Sequence, residues 1–469
     1  MLATKEFNVK KSDFWEWYNS IIYAADLVDN RYNLQGFLVH KPAGAFMIKR
    51  ITELLEEGLN KTGHEEVLFP IGIPKENFEL EKEHVEGFAP ELFWITKMGD
   101  KDLPRPFALR PTSETAFYQM YSLWIRSHND LPLKYYQAGT VYRAEKETSP
   151  FLRGREFYWI ETHCAFQTKK EALKQVKEDQ KVFGKVLKTY LGLNYMVFDR
   201  PEWDKFAGAE KTIAFDTLLP DGKVLQVGST HYLGQKFSKP FNIKADNEFV
   251  YQTCFGHGVW RVVAAVVAIH GDDKGLKVPS QISKIQVAIV PVGKNDKTQV
   301  FKDVKKQLKS FRVQIFDDID KSFGFKLNQT ELLGIPVRVE VGDRELEAGQ
   351  ATIFDRFTGN KKQVSLVSLK KEVANLFKEQ EANFKNLKDL PVYQIDSISD
   401  LKEGGIARAY FIGTKGTEAE QAAKDLQEKT NGVKVRGTLF GVKETVPEGA
   451  KCFMTGKPAK CVVYLAKQY

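Results

Sequence analysis

Residues 143–157 read Arg143-Ala144-Glu145-Lys146-Glu147-Thr148-Ser149-Pro150-Phe151-Leu152-Arg153-Gly154-Arg155-Glu156-Phe157. A strand over 134–143 ends on an arginine, a loop follows over 146–152, and arginines open the next strand. That second strand, 155–166, alternates apolar and polar residues, the period of a half-buried strand. Arginines at both mouths of one loop make a fork that can hold an extended polyphosphate, because guanidinium donors match phosphate oxygens in pairs. Ordinary surface ion pairing uses the same residues, and spacing alone leaves both readings open.

Working outward, strands are expected at 67–73 and 106–110, and at 214–219 and 223–227, the last two joined by Pro220-Asp221-Gly222. A further strand is expected at 249–253. Helices are expected at 14–28, 46–59 and 168–190, with an apolar helix at 261–271. Strands interleaved with helices and carrying hairpin signals imply an antiparallel sheet flanked by helices, not a doubly wound fold. Beyond Pro279, an apolar run over 285–291, a helix over 296–311 and strands at 312–316 and 336–341 make a second α/β unit. The chain has 469 residues, about three domains at ~150 residues each, divided here as 1–284, 285–390 and 391–469.

Composition is 42% apolar, 28% charged and 12% aromatic, which excludes a disordered chain. No apolar run approaches the ~20 residues of a membrane span, and Met1-Leu2-Ala3-Thr4-Lys5-Glu6 lacks a signal-peptide core. Four cysteines exclude a disulfide scaffold, so a cytoplasmic location is expected. The net charge of +8 is uneven: residues 286–469 hold 31 basic and 24 acidic side chains, and the remainder 38 and 37. A polyanion partner for the C-terminal part is one reading of this surplus, and solvated lysine faces are the other.

Three further groups could carry chemistry. Arg110-Pro111-Thr112-Ser113-Glu114-Thr115 suits either a ligand loop or a helix cap with Thr112 leading. Gly256-His257-Gly258-Val259-Trp260-Arg261 brings glycines and an arginine to a helix start, where backbone can approach an anion. Trp159, Glu161 and His163 share one face of a strand, which fits a polar pocket wall better than an apolar core. His231 follows Gly228-Ser229-Thr230.

In this order and spacing, these groups resemble the class II aminoacyl-tRNA synthetases, and among them the prolyl-tRNA synthetases of archaeal and eukaryotic type. Gly63-His64-Glu65-Glu66-Val67-Leu68-Phe69-Pro70 is similar to that family's motif 1, residues 143–157 to motif 2, and 256–261 to motif 3. Glu83-His84-Val85-Glu86-Gly87-Phe88, Asp204-Lys205-Phe206-Ala207-Gly208-Ala209-Glu210, Leu233-Gly234-Gln235-Lys236-Phe237-Ser238-Lys239 and His270-Gly271-Asp272-Asp273-Lys274-Gly275-Leu276 match as well.

The resemblance implies a class II antiparallel sheet flanked by helices, an α/β anticodon-binding domain and a small C-terminal α+β domain. It implies activation of L-proline by ATP with Mg²⁺, transfer to tRNA(Pro), and a homodimer. Arg143, Arg153 and Arg261 would be catalytic, holding the phosphates. Glu145, Phe157, Gln226 and Ser229 would join them around ATP. Thr112, Glu114, Arg143, Trp159, Glu161, His163, Phe206 and His231 would bind proline. Arg338, Glu340, Arg344 and Arg356 would read the anticodon.

The family's C-terminal domain often carries four zinc-binding cysteines. Here Thr455 stands at one ligand position and only Cys452 and Cys461 remain near it, so no bound metal is expected. The stretch between Glu161 and Arg261 leaves no room for a large editing insertion, so alanine misactivation would go uncorrected in cis. A non-catalytic relative and a threonine-specific enzyme are the alternatives, separated by pyrophosphate exchange against a panel of amino acids.

Overall fold

The structure, a computed structural model, describes residues 7–79, 92–293 and 298–469. The segment 83–88 singled out above lies outside the described residues, as does the start of the helix expected at 296.

One sheet of eleven strands organises the molecule. In chain order its catalytic strands are β1 (Glu65–Glu66), β2 (Leu133–Tyr142), β3 (Glu156–Phe166), β4 (Met196–Asp199), β5 (Lys211–Leu218), β6 (Val224–Gly234) and β7 (Tyr251–His257). They lie in the order β4-β5-β6-β7-β3-β2-β1 and are antiparallel except at the β1–β2 edge. Register aligns Thr212 with His231, His231 with Cys254 and Cys254 with His163, so one row of polar side chains crosses four strands on a single face. The period of two along each strand puts Trp159 and Glu161 of β3, and Ser229 of β6, on that same face.

Helices α1 (Phe14–Ala24), α2 (Pro42–Asn60), α3 (Glu114–Trp124), α4 (Lys169–Lys185) and α5 (Val259–His270) surround this sheet. Helix α4 begins where its sequence says it should. The Thr168 hydroxyl accepts from the Glu171 N–H, and the Glu171 carboxylate accepts from the Thr168 N–H, a reciprocal cap. Helix α5 is apolar on nearly every face and is correspondingly buried within the main core.

The expected strand at 67–73 is not one strand. Glu65–Glu66 pairs with β2, Gly72–Pro74 pairs with Lys101–Leu109 in a separate three-stranded sheet, and 67–71 crosses between them. Pro70 has no N–H to give a ladder. The Phe69 N–H is taken instead by the Gln137 side chain, 3.1 Å away.

Residues 286–385 form a separate five-stranded mixed sheet. Here β8 (Val287–Pro291) runs parallel to β9 (Val313–Ile315) and β10 (Val337–Val341), and β11 (Gln350–Asp355) and β12 (Lys361–Ser365) complete it antiparallel. Helix α6 (Leu369–Lys385) packs on it and reaches back to the catalytic domain, where Phe384 stacks on His270. The C-terminal piece contributes β13 (Val392–Gln394), β14 (Ile406–Phe411), β15 (Val433–Leu439), β16 (Cys461–Lys467) and helix α7 (Thr417–Lys429). Its sheet is not separate: β15 pairs antiparallel with β4 through Thr438–Asp199 and Leu439–Phe198, extending the catalytic sheet to eleven strands.

Candidate active site

A cavity of about 360 Å³ opens on the polar face of the sheet. Its walls include Thr112, Glu114, Arg143, Glu145, Arg153, Phe157, Trp159, Phe206, Gln226, Ser229, His231 and Arg261, residues the sequence places on six separate segments. The sheet brings them together because β2, β3, β6 and β7 are neighbours although distant along the chain.

One end of the cavity is cationic. Arg261 begins helix α5, and its Nε and Nη1 donate to the carbonyls of Leu152 and Gln226, each at 3.1 Å. Burial lowers its guanidinium pKa to about 10, and the neighbouring Arg153 and Arg143 charges push the same way. Arg143 donates to the Pro111 carbonyl at 3.2 Å and lies over the rings of Phe157 and Trp159. Arg153 pairs with Glu145 across the loop at 3.1 Å. Two glycines let the backbone close up here. A Cβ on Gly256 would sit 2.5 Å from the Trp159 ring, and one on Gly154 would meet the Glu156 carbonyl at 2.6 Å.

The other end is lined by hydrogen-bonding groups around a small apolar space. Thr112 donates to the Glu114 carboxylate, and Cys254 Sγ lies 3.6 Å from the same side chain. The His231 ring is fixed on both sides, by Thr212 at 2.9 Å and Ser229 at 3.0 Å, and faces Phe206. Thr112 therefore does not cap α3 through the backbone; Ser113 precedes that helix, and no side chain caps it.

Glu161 and His163 do not line the cavity. They lie fully buried behind it. Glu161 accepts from the Ser113 hydroxyl at 2.6 Å, the Gln137 amide at 2.8 Å and the Ser113 N–H at 3.2 Å, so it anchors the Thr112–Glu114 loop. His163 lies between Glu161 and the Tyr118 hydroxyl. The side chains of Glu114, His163 and Cys254 lie close enough to share a cation, the single such trio among the described residues. Each is already hydrogen-bonded to a neighbour. In the C-terminal domain Cys452 is buried in the core and Cys461 lies on β16.

Sequence reading missed Arg200 and Gln468, which also line the cavity. Neither stands in a motif. Arg200 follows β4, and Gln468 is the penultimate residue of the chain. Of the four residues assigned to the anticodon, Arg338 and Glu340 form a buried pair at 2.9 Å, and Lys361 joins them at 3.1 Å. Arg356 grips Asp272 of the catalytic domain with two bonds of 2.8 and 2.6 Å. Arg344, on the short helix Asp343–Glu347, is exposed.

An antiparallel sheet bearing an arginine-lined cavity, followed by an α/β domain, defines a class II aminoacyl-tRNA synthetase. Residues 93–270 match the tRNA synthetase class II core domain (G, H, P, S and T), 286–376 match the anticodon binding domain, and 396–469 match the prolyl-tRNA synthetase C-terminal domain. The chain is 47% identical to a proline–tRNA ligase of Thermofilum pendens over 98% of each, and 40% identical to one of Methanocaldococcus jannaschii over 95% of this chain and 99% of the other. Its fold is similar to that of a Giardia lamblia prolyl-tRNA synthetase in complex with prolyl-adenylate, with a TM-score of 0.93 at 35% identity, covering 99% of this chain and all of the other. The chain belongs to the proline–tRNA ligase family.

Proposed function

We propose that the two ends of the cavity divide the reaction between them. The activity is that of a proline–tRNA ligase: L-proline and ATP give prolyl-adenylate and pyrophosphate, and the prolyl group then passes to tRNA(Pro). ATP enters as its Mg²⁺ complex. The observation that carries the assignment is the cluster of Arg143, Arg153 and Arg261 at one end of the same cavity that holds Thr112, Glu114 and His231 at the other.

No enzyme nucleophile is required. The proline carboxylate attacks the α-phosphorus in line, and the leaving pyrophosphate takes the electron pair. Catalysis is positioning plus charge stabilisation in a site whose donors are already oriented. Arg143 meets the carboxylate and α-phosphate, and Arg153 and Arg261 the β- and γ-phosphates. For Arg153 this means exchanging Glu145 for phosphate, which releases Glu145 toward the adenine amino group. Phe157 stacks on the base. Glu114 and Thr112 accept the secondary ammonium, and Trp159, Phe206 and His231 close around the ring. Glu161 and His163 hold that pocket from behind.

The nucleic-acid partner docks on the α/β domain, with Arg344 the one residue of the four assigned whose guanidinium faces solvent. The homodimer reading is supported by Leu68 and Ile71 beside Pro70, which leave 82% and 50% of their surface exposed in the single chain. No helix among the described residues is long and apolar enough to cross a membrane, and the cytoplasm, where tRNA is charged, is the proposed location. Proline-dependent exchange of pyrophosphate into ATP tests the assignment. Exchange with threonine alone, or with no amino acid, would overturn it. The pocket offers nothing that rejects a smaller side chain strongly, so alanine is expected to exchange at a reduced but measurable rate, about 1–3 kcal/mol behind proline.

A further inference from the structure

The reading above uses nothing from the C-terminal domain, yet that domain reaches the cavity through its most deeply buried charged side chain. Arg436, on β15, has no exposed surface. Its Nε donates to Asp216 Oδ2 of β5 at 2.7 Å, and its Nη1 donates to the Gln468 side chain. The other oxygen of Asp216 accepts from Arg200 Nη2, also at 2.7 Å. The same Nη2 reaches Gln226 Oε1 at 2.9 Å, and Arg200 Nη1 returns to the Arg436 carbonyl at 2.8 Å. Arg200, Gln226 and Gln468 all line the cavity.

Two features separate this chain of contacts from an ordinary domain clamp. Two fully buried guanidiniums share one fully buried carboxylate, and the second carboxylate near them, the partly exposed Asp204 at 3.7 Å from Arg200 Nε, itself lines the cavity. Burial pushes the Asp216 carboxyl up, but the two arginines more than reverse this and hold it below the ordinary range. A pair of buried guanidiniums is a poor way to glue domains, because desolvation opposes it. Beside an anionic substrate it is well placed. The chain also ends on an amide. With Oε1 held by Arg200, the Gln226 amide has its two N–H donors left for the cavity, and so presents donors rather than an acceptor.

We propose that Arg436 is a positioning residue for the nucleotide half of the site, acting through Asp216 and Arg200 to hold the Gln226 amide with its donors toward ATP. The inference rests on the functional reading above. Without Arg436 the Asp216 carboxylate keeps one partner and can turn, Arg200 follows it, and Gln226 is free to flip.

The test compares the full-length chain with Arg436→Met, Arg436→Lys, Gln226→Leu and the Met/Leu double variant, with Arg408→Met as control. Arg408 lies on β14 and pairs with Glu444, away from the cavity. MgATP affinity by calorimetry and the KM for ATP and for proline in exchange are read on each. In Arg436→Met the KM for ATP is expected to rise about tenfold to a hundredfold, the cost typical of a displaced positioning group. The KM for proline should stay within twofold, Arg436→Lys should recover part of the loss, and the double variant should be no worse than Gln226→Leu. A purely structural Arg436 would lower thermal stability and leave MgATP affinity within twofold of the parent, or add its effect to that of Gln226→Leu; either result overturns the proposal. If Arg436→Met does not fold, Arg436→Lys against Gln226→Leu decides in the same terms. Failure of the parent itself to exchange proline would instead sink the functional reading, while MgATP affinity still judges the role of Arg436.

Discussion

Arginine serves opposite ends in two regions of this molecule. In the catalytic cavity, Arg261 gives its hydrogen bonds to backbone carbonyls and stands beside two other arginines. In the α/β domain, Arg338 meets Glu340 and Glu331, and Arg356 meets Asp272. The first arrangement leaves positive charge available to an incoming anion. The second neutralises it and spends the guanidinium on packing, one pair inside a domain and one between domains. What an arginine faces, more than where it falls in a motif, separates binding from architecture.

The largest effect is expected from Arg261→Met. Proline-dependent exchange should fall about a thousandfold in kcat, as when one preorganised donor to a developing charge is removed. The thermal midpoint should hold or rise, because a buried cation among like charges is relieved. A fall in both would break the comparison. Next is Arg338→Met, which removes the buried partner of Glu340 and Glu331 and leaves each with one exposed lysine, Lys361 and Lys274. Chemical denaturation should show about 3 kcal/mol lost, with exchange kinetics of the folded enzyme unchanged.

Asp179 sharpens the contrast from the other sign of charge. It is fully buried; Gln175 donates to it at 2.7 Å, His64 lies 3.7 Å away, too far to donate, and no arginine is among the groups that shift it. Burial raises its carboxyl to about 7. Between its ordinary value near 3.8 and about 7, the folded chain therefore keeps a proton the unfolded chain releases, and stability falls as pH rises through that window. Asp179→Asn should flatten this slope and raise the melting midpoint by a few degrees at neutral pH, read by calorimetry across the range. The smallest effect is expected at Arg344. Replacing this exposed guanidinium with alanine should weaken kcat/KM for tRNA by about threefold to fivefold, as for a surface charge. Pyrophosphate exchange should not change; an effect on exchange would place Arg344 in a role the structure does not give it.

Much of this was legible in the sequence. The alternation in 155–166 and the Pro-Asp-Gly turn announce local structure, and the arginine loop between two strands names its own geometry. Arg143, Arg153, Arg261 and Glu114 were legible because they stand at element boundaries, whereas Trp159, Gln226, Ser229 and His231 lie inside strands. The strand expected at 67–73 failed because an apolar run states only that residues want burial, not which partner supplies their hydrogen bonds. Two of the anticodon candidates are absorbed in pairs: Arg338 by Glu340, two residues on along the same strand, and by Glu331, and Arg356 by Asp272, a carboxylate far away in the chain that no local pattern announces. Arg200, Asp216 and Arg436 were illegible for the same cause, since a triad spread over more than two hundred residues leaves no local pattern.

The pairing of β15 with β4 also has a consequence for synthesis. Strand β4 emerges from the ribosome well over two hundred residues before the strand that covers it. Through that interval the nascent catalytic domain carries an open sheet edge, the kind of surface that recruits foreign strands. A chain released early, before residue 433, would keep that edge permanently, so premature termination here should yield aggregating protein, not a smaller working enzyme.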